Sequence, residues 1–445
     1  MKRLSAHVIF VVLVIASIGL AQSKPDHRSA RTLHEEADTY ITRKFQEFNQ
    51  KKLPFDPELE TKTKNEQKEL AARNALTLES RSVVKGDDLY HLGMLYHLAS
   101  NSDKALFVMK SYLESGADGE KAQEARAVIV VHALKKKMIA EAEITAKTYA
   151  IKKPLNLNEL YGMETLISDE LYKSGDYERM ATHAKEMLKV AELLGERREV
   201  TNFKRDEMIF KSASFIVEAQ LKLNQREAAL ATLEQIRLRA ITLTSGYLYK
   251  LATTRLRSLD PEIDLAKSFT AKPEKPTSVP ELKTLEWIDQ QPKKLDQLKG
   301  QVVLVDFWAP WCGPCRFTLP RLQSWHETYK DKGLVILGVT NYYGHADGKQ
   351  VTPVEELAYL RDFKTRSRLG YGFVIGDSSV NDLNYGVVSI PMSFLVDRSG
   401  NLRFISVGSS EQELKALGKM IAKLIGEQPD AKEKPTSIAG EGSKH

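Results

Sequence analysis

Apolar residues recur at helical spacing from about Asp87 to Leu259, a stretch in which Gly and Pro are sparse. Four segments inside it look alike. Tyr90–Gly93 leads to Asp103–Leu106, Ala125–Ala133 to Glu141-Ala142, Leu166–Leu171 to Ser174–Glu178, and Phe215–Leu223 to Asn224–Ala229. Each predicts a helix, a short polar turn and a second helix that opens near a small residue. Ala105, Ala142 and Ala229 are those small residues, and Met180-Ala181 stands there in the third segment. Ahead of this region, residues 22–86 are polar and charged, with helical propensity from Ala30 to Gln50. Lys267 to Pro280 holds Pro273, Pro276 and Pro280 among Lys, Thr and Ser, and predicts a semi-rigid linker.

Beyond the linker the pattern alternates between strand and helix, the signature of a sheet with parallel connections. Gln301–Phe307 and Leu334–Val339 are apolar strands, and Pro314–Tyr329 between them is an amphipathic helix. Ser393–Val396 and Leu402–Val407 form a hairpin around Asp397–Asn401, and Glu411–Ile425 is the last helix. The end, Glu427 to His445, is polar and predicts disorder. The segments are therefore 1–21, 22–86, 87–266 (helical), 267–280 (linker), 281–426 (strand and helix) and 427–445 (tail).

The first segment is an address. Lys2 and Arg3 precede an apolar run from Val8 to Leu20, and Gly19 and Ala21 are the small residues of a cleavage site after Ala21. The run is shorter than the roughly 20 residues of a spanning helix. A cleaved signal peptide is expected, with an uncleaved N-terminal anchor as the alternative. Either way the protein is exported, and the short leader suggests a bacterial periplasmic or extracytoplasmic location. The net charge of +6 over 65 basic and 59 acidic residues is too mixed for a nucleic-acid partner.

Export sharpens the reading of the cysteines. The chain has two, Cys312 and Cys315, in Trp311-Cys312-Gly313-Pro314-Cys315. A bridge across two residues closes almost no loop, so it adds little stability. Zinc needs four ligands, and no third cysteine or paired histidine is near, so no metal or other cofactor is expected. A redox-active disulfide and dithiol remain. Cys312 falls at a helix N-terminus, where free N–H groups favour a thiolate, with its side chain exposed beside Trp311. Cys315 lies one turn further on and more buried, as the resolving thiol. Pro314 is tolerated in a first turn.

The helical region resembles tetratricopeptide repeats, most clearly over Leu171–Leu188 and Ala219–Leu233, although the alanines keep no 34-residue period. Such a layer implies a concave surface for a peptide or protein partner; a bundle that merely supports the next domain is the alternative. Val305-Asp306-Phe307-Trp308-Ala309-Pro310-Trp311-Cys312-Gly313-Pro314-Cys315 resembles the active-site strand and turn of thioredoxin, and about Pro280 to Gly426 resembles the exported TlpA/ResA-type branch. The fold class implied is α + α/β, a helical-hairpin domain followed by a thioredoxin-like fold. Lys294–Gly300 resembles the β-hairpin lead-in of that branch, and Gly344–Asn381 its insertion.

The resemblance assigns further residues. Ile390-Pro391 matches the cis-proline position opposite the cysteines, where backbone groups bind the substrate chain as an added strand. Gly408 matches a glycine lining that groove. Asp306 matches the buried carboxylate that accepts the proton of Cys315, although a strand-end residue facing solvent is the bland alternative. Gly338 stands where thioredoxin has a lysine beside that acid. A peroxidase of the peroxiredoxin type would carry Thr ahead of a lone cysteine, and Pro310-Trp311 stands here instead. The resemblance implies a thiol–disulfide oxidoreductase that reduces protein disulfides and is reset by a membrane thiol reductase. The rivals are a helical-repeat binding protein with a docking thioredoxin-like domain, and a disulfide oxidase or isomerase.

Overall fold

The computed structural model describes residues 26–81, 83–269 and 277–427. The expectations for segment 1–21, for residues 270–276 of the 267–280 linker and for the tail beyond Glu427 lie outside these residues. The chain divides into two compact units, one through Lys136 and one from Lys137.

The first unit holds α1 (Ala30–Asp38), α2 (Tyr40–Gln50), α3 (Pro57–Glu79), α4 (Asp87–Leu98), α5 (Ser102–Glu114) and α6 (Glu120–Lys135). Side-chain caps start several of them. Ser29 accepts from the Thr32 N–H, Asp56 from Glu58 just ahead of Pro57, and Asn101 from Lys104. The Ala30–Gln50 stretch is interrupted at Thr39, and α3 lies beyond it, in the part of the polar and helical 22–86 segment where no particular helix stands out. Its buried residues are Thr63, Ala71, Asn74, Ala75 and Leu78, so its core face is too polar and small to stand out in the sequence. Ala105 is fully buried, and Gly93 lets α4 lie against Met109 of α5, where an added Cβ would come within 2.6 Å of the sulfur.

Two histidine pairs are built into this unit. His34 Nδ1 lies 3.2 Å from His91 Nδ1. His97 Nδ1 lies 3.0 Å from His132 Nε2, and His132 Nδ1 lies 2.9 Å from Ser102 Oγ. Each pair needs one donor and one acceptor, which neutral rings supply. Burial lowers the pKa of all four from 6.5, to about 4 for His91 and His132. The unfolded chain therefore takes up protons first as pH falls, and the stabilisation present above about 6.5 is lost toward pH 4. Hydrogen-exchange protection factors in α4–α6, corrected for the intrinsic rate at each pH, are expected to fall over that range, and His132→Gln is expected to blunt the fall.

The second unit begins with α7 (Ile139–Ile151), α8 (Leu157–Ser174), α9 (Tyr177–Glu196), α10 (Asn202–Lys222), α11 (Arg226–Thr242) and α12 (Gly246–Leu259). Helix α9 packs on both α8 and α10, and α11 on α12. Ala142 and Ala229 are fully buried, and Met180 fills the equivalent place in α9. His183 of α9 sits between Glu164 Oε2 at 2.5 Å and Glu143 Oε1 at 3.0 Å. Burial opposes its charge, but the two carboxylates outweigh that and raise its pKa.

The sheet follows: β1 (Thr284–Ile288), β2 (Val302–Phe307), α13 (Gly313–Tyr329), β3 (Leu334–Thr340), a small hairpin of β4 (His345–Ala346) and β5 (Lys349–Gln350), α14 (Pro353–Arg366), β6 (Gly372–Gly376), α15 (Ser378–Tyr385), β7 (Met392–Val396), β8 (Leu402–Val407) and α16 (Glu411–Gly426). The strand order is β1-β6-β3-β2-β7-β8. Only β2, β3 and β6 run parallel; β1, β7 and β8 pair antiparallel. This is a thioredoxin-like fold behind a helical region, the α + α/β class expected. Two local expectations are corrected. Lys294–Gly300 contains a single 3-10 turn over Leu295–Leu298 rather than a hairpin, because its Leu residues do not alternate as a strand would. Gly344–Asn381 is not wholly an insertion, since it supplies β6, an inner strand of the sheet.

Arg237 of α11 joins the helices of this unit to its sheet. Its side chain is fully buried. It donates to Thr253 Oγ1 at 3.1 Å, Tyr249 Oη at 2.5 Å, the Leu265 carbonyl at 2.9 Å and Glu234 at 2.9 Å. The guanidinium also stacks 4.8 Å from the rings of Tyr249 and Phe269, and Phe269 meets Phe404 of β8 edge-on at 5.3 Å. Removing it takes the ion-pair partner from Glu234 and leaves the buried Tyr249, Thr253 and Leu265 carbonyl without their donor. Arg237→Ala is expected to destabilise the second unit by about 3–5 kcal/mol in urea melts.

Candidate functional site

Strand β2 is buried along its whole length and ends at Phe307. The chain then turns through Trp308–Trp311 into α13, which places Cys312 at the N-cap. Its Sγ accepts from the Cys315 N–H at 3.2 Å, so the helix start is satisfied by the sulfur itself. Cys312 and Cys315 are joined as a disulfide. Cys315 is fully buried, as expected. Cys312 is not exposed: it is 6% accessible, because the disulfide turns its sulfur inward and the Ile390 segment covers it. Trp311 carries the exposure instead, at 52%.

The other residues named from the sequence surround this pair. The Ile390-Pro391 bond is cis, and the Ile390 carbonyl oxygen lies 3.9 Å from Cys312 Sγ. Gly408, at φ +89°, donates its N–H to the Pro391 carbonyl at 2.9 Å. That φ favours glycine.

Asp306 is buried, not solvent-facing. Its Oδ1 accepts from Ser393 Oγ at 2.6 Å, across the β2–β7 pairing, and its Oδ2 has no hydrogen-bond partner among the described residues. Burial raises its pKa from 3.8 to about 7, with the Ser393 bond pulling weakly the other way. Gly338 is the direct partner of Asp306 on β3. A Cβ there would stand 3.1 Å from both Trp308 Nε1 and Phe373 Cδ1. Those two rings occupy the space a longer side chain would need, and among the described residues no cation offsets the burial of the acid.

Several neighbours escaped the sequence reading. Tyr343 meets Trp311 edge-on at 5.2 Å, and His345 lies 6.4 Å from the indole. Glu356 of α14, itself buried, holds their loop by accepting from the N–H groups of Tyr343 and Gly344 at 2.8 and 2.9 Å. Ser393 was visible only as the start of a strand. No local pattern marks these residues, because each reaches the site from a different element.

Residues 264–405 match the model of the AhpC/TSA family, about a third of the chain. The chain is 29% identical over 126 residues to the thioredoxin-like protein YneN of Bacillus subtilis, covering 28% of this chain and 68% of that one. It is 27% identical over 138 residues to the thiol-disulfide oxidoreductase ResA of Bacillus thuringiensis subsp. konkukian, covering 31% and 72%. Of the protein DipZ of Mycobacterium tuberculosis, 30% identical over 144 residues, it spans only 19%, and 30% of this chain is matched. Among solved structures, StoA of Bacillus subtilis is similar at 22% identity, with 33% of this chain and 99% of that one covered and a TM-score of 0.25. The fold of this part of the chain is thioredoxin-like, and the curated proteins it resembles include ones named as thiol-disulfide oxidoreductases. The helical residues before 264 lie outside the family match.

The raised pKa of Asp306 has a sign for stability. The folded protein keeps a proton that the unfolded chain releases near pH 4, so stability falls as pH rises from about 4 to about 7. Asp306→Asn removes that loss. The variant is expected to be more stable than the parent at pH 8, by about 1–4 kcal/mol in urea melts, and to show no advantage at pH 4.

Proposed function

We propose that this chain is an exported bacterial protein that reduces disulfides in other proteins. The observation that carries this reading is the Cys312–Cys315 disulfide at the N-cap of α13, beside the Ile390 carbonyl and in a chain with no other cysteine. In the reduced protein, Cys312 Sγ attacks one sulfur of a substrate disulfide. An S–S bond forms between them, and the other substrate sulfur leaves with its electron pair and takes a proton. Cys315 then attacks Cys312 and expels the second substrate sulfur. Two electrons have passed to the substrate, and the protein is left oxidised. A dithiol donor returns them, and a membrane thiol reductase suits an exported protein.

Asp306 is the proton acceptor for Cys315 in this scheme. Its pKa near 7 and its unpaired Oδ2 suit the task. The substrate chain lies along Ile390 and Gly408 as an added strand, against Trp311. Gly313-Pro314 and the Ile before Pro391 favour reduction over oxidation. Export rests on the basic and apolar character of residues 1–21. Among the described residues no helix is long and apolar enough to cross a membrane.

Insulin reduction driven by dithiothreitol tests the scheme. Cys312→Ser is expected to lose activity by about a hundredfold or more. Cys315→Ala is expected to accumulate mixed disulfides with substrate. In the parent, release of the mixed disulfide is expected to accelerate as pH rises through about 7, an inflection absent from Asp306→Asn. Full turnover by Cys312→Ser would exclude the mechanism, and a dithiol potential near about −120 mV would mark an oxidant instead.

A further inference from the structure

The helical layer of the second unit touches the segment that carries Ile390 and Pro391. Helix α12 opens on Gly246 directly against it. A Cβ on Gly246 would fall 2.1 Å from the sulfur of Met392, the residue after Pro391, and 3.1 Å from the Gly386 carbonyl oxygen. From the other side, a Cβ on Gly386, itself at φ +61°, would fall 3.2 Å from the Gly246 nitrogen and from Ser245 Oγ. Two backbones therefore meet with only hydrogens between them. One turn into the helix, Lys250 Nζ donates to Ser389 Oγ at 3.0 Å, the residue just before Ile390. The far side of the contact is rigid. Ser245 caps α12 by accepting from Leu248 at 3.0 Å and donates to the buried Asp206 at 2.5 Å, while Arg237 clamps the middle of the helix through Tyr249 and Thr253.

We propose that α12 is a positioning element for disulfide exchange: Gly246 and Lys250 hold the 386–392 segment so that the Ile390 backbone is presented to an incoming polypeptide beside Cys312. The inference rests on the exchange reading above and narrows its substrate class to disulfides carried on an extended chain. A small disulfide reaches Cys312 without using the Ile390 edge, so it does not feel the buttress. A polypeptide adds a strand to that edge, and every unit of disorder in the segment must be removed when it binds. Lys250 and Gly246 thereby act on affinity for the extended chain.

The experiment uses the full chain with insulin and dithionitrobenzoate as the two disulfides. Lys250→Met is expected to raise the KM for insulin about fivefold, the scale of one part-buried hydrogen bond. Its kcat and its rate with dithionitrobenzoate are expected to match the parent. Ser389→Ala is expected to raise the KM similarly, and the double variant no further, because both remove the same bond. Gly246→Ala, which pushes on Met392, is expected to raise the KM as well if near-UV circular dichroism shows a native fold. An unchanged insulin KM in Lys250→Met, additive losses in the double variant, or an equal loss with dithionitrobenzoate would overturn the inference while leaving exchange at Cys312 intact. A parent protein that reduces neither disulfide would overturn the exchange reading with it.

Discussion

A guanidinium taken wholly out of water must satisfy its donors or destabilise the fold, and that constraint organises the second unit. Arg237 is fully buried and meets Thr253, Tyr249, Glu234 and the Leu265 carbonyl at once. These partners come from α11, from α12 and from the chain that leaves α12 toward the sheet, so only one arrangement of those elements serves them all. Tyr249 and Phe269, which flank the cation, also touch Phe404 of β8. The helices are thereby fixed against the thioredoxin-like domain by directional bonds, where an apolar contact alone would tolerate sliding. The meeting of Gly246 with Met392 inherits its precision from this joint.

The chemistry of the site follows from burial of a second charged group, with the opposite resolution. Arg237 keeps its charge because carboxylates and dipoles surround it. Among the described residues Asp306 has one hydroxyl partner and no cation, so it holds its proton to about pH 7. The close fit of Trp308 and Phe373 over Gly338 removes the position from which a lysine would have stabilised the carboxylate. An acid poised near neutrality can take a proton and return it within one turnover, which an ordinary surface aspartate near pH 4 cannot do.

Much of this was legible in the residues. The helix pairs from α4 to α11 follow the apolar spacing, because each hides a stripe of ordinary hydrophobic residues. The strands β2, β3, β7 and β8, with α13 and α16, came out within a residue or two for the same reason. What stayed hidden had a weak local signal. Helix α3 buries small and polar side chains. Strands β1 and β6 are five residues each, and β6 is bounded by glycines inside a stretch that reads as loop. Around the disulfide, Trp311, Asp306, Pro391 and Gly408 were named from the sequence, whereas Ser393, Tyr343 and Glu356 were not. Their importance comes from what lies across from them, and no spacing along the chain encodes that.

The sequence by itself determined the chemistry available: two cysteines in 445 residues, two residues apart, where an apolar strand gives way to a helix. Covalent spacing and helix periodicity are local, so composition and pattern suffice to state them. The tertiary structure alone decided the conditions under which that chemistry runs. It buried Cys312 where exposure was expected, left Asp306 Oδ2 unpaired, filled the space over Gly338 with two rings, and set Lys250 against Ser389, 139 residues further along the chain. Desolvation and contact depend on which distant surfaces pack together. That outcome belongs to the whole fold, and no window of the sequence contains it.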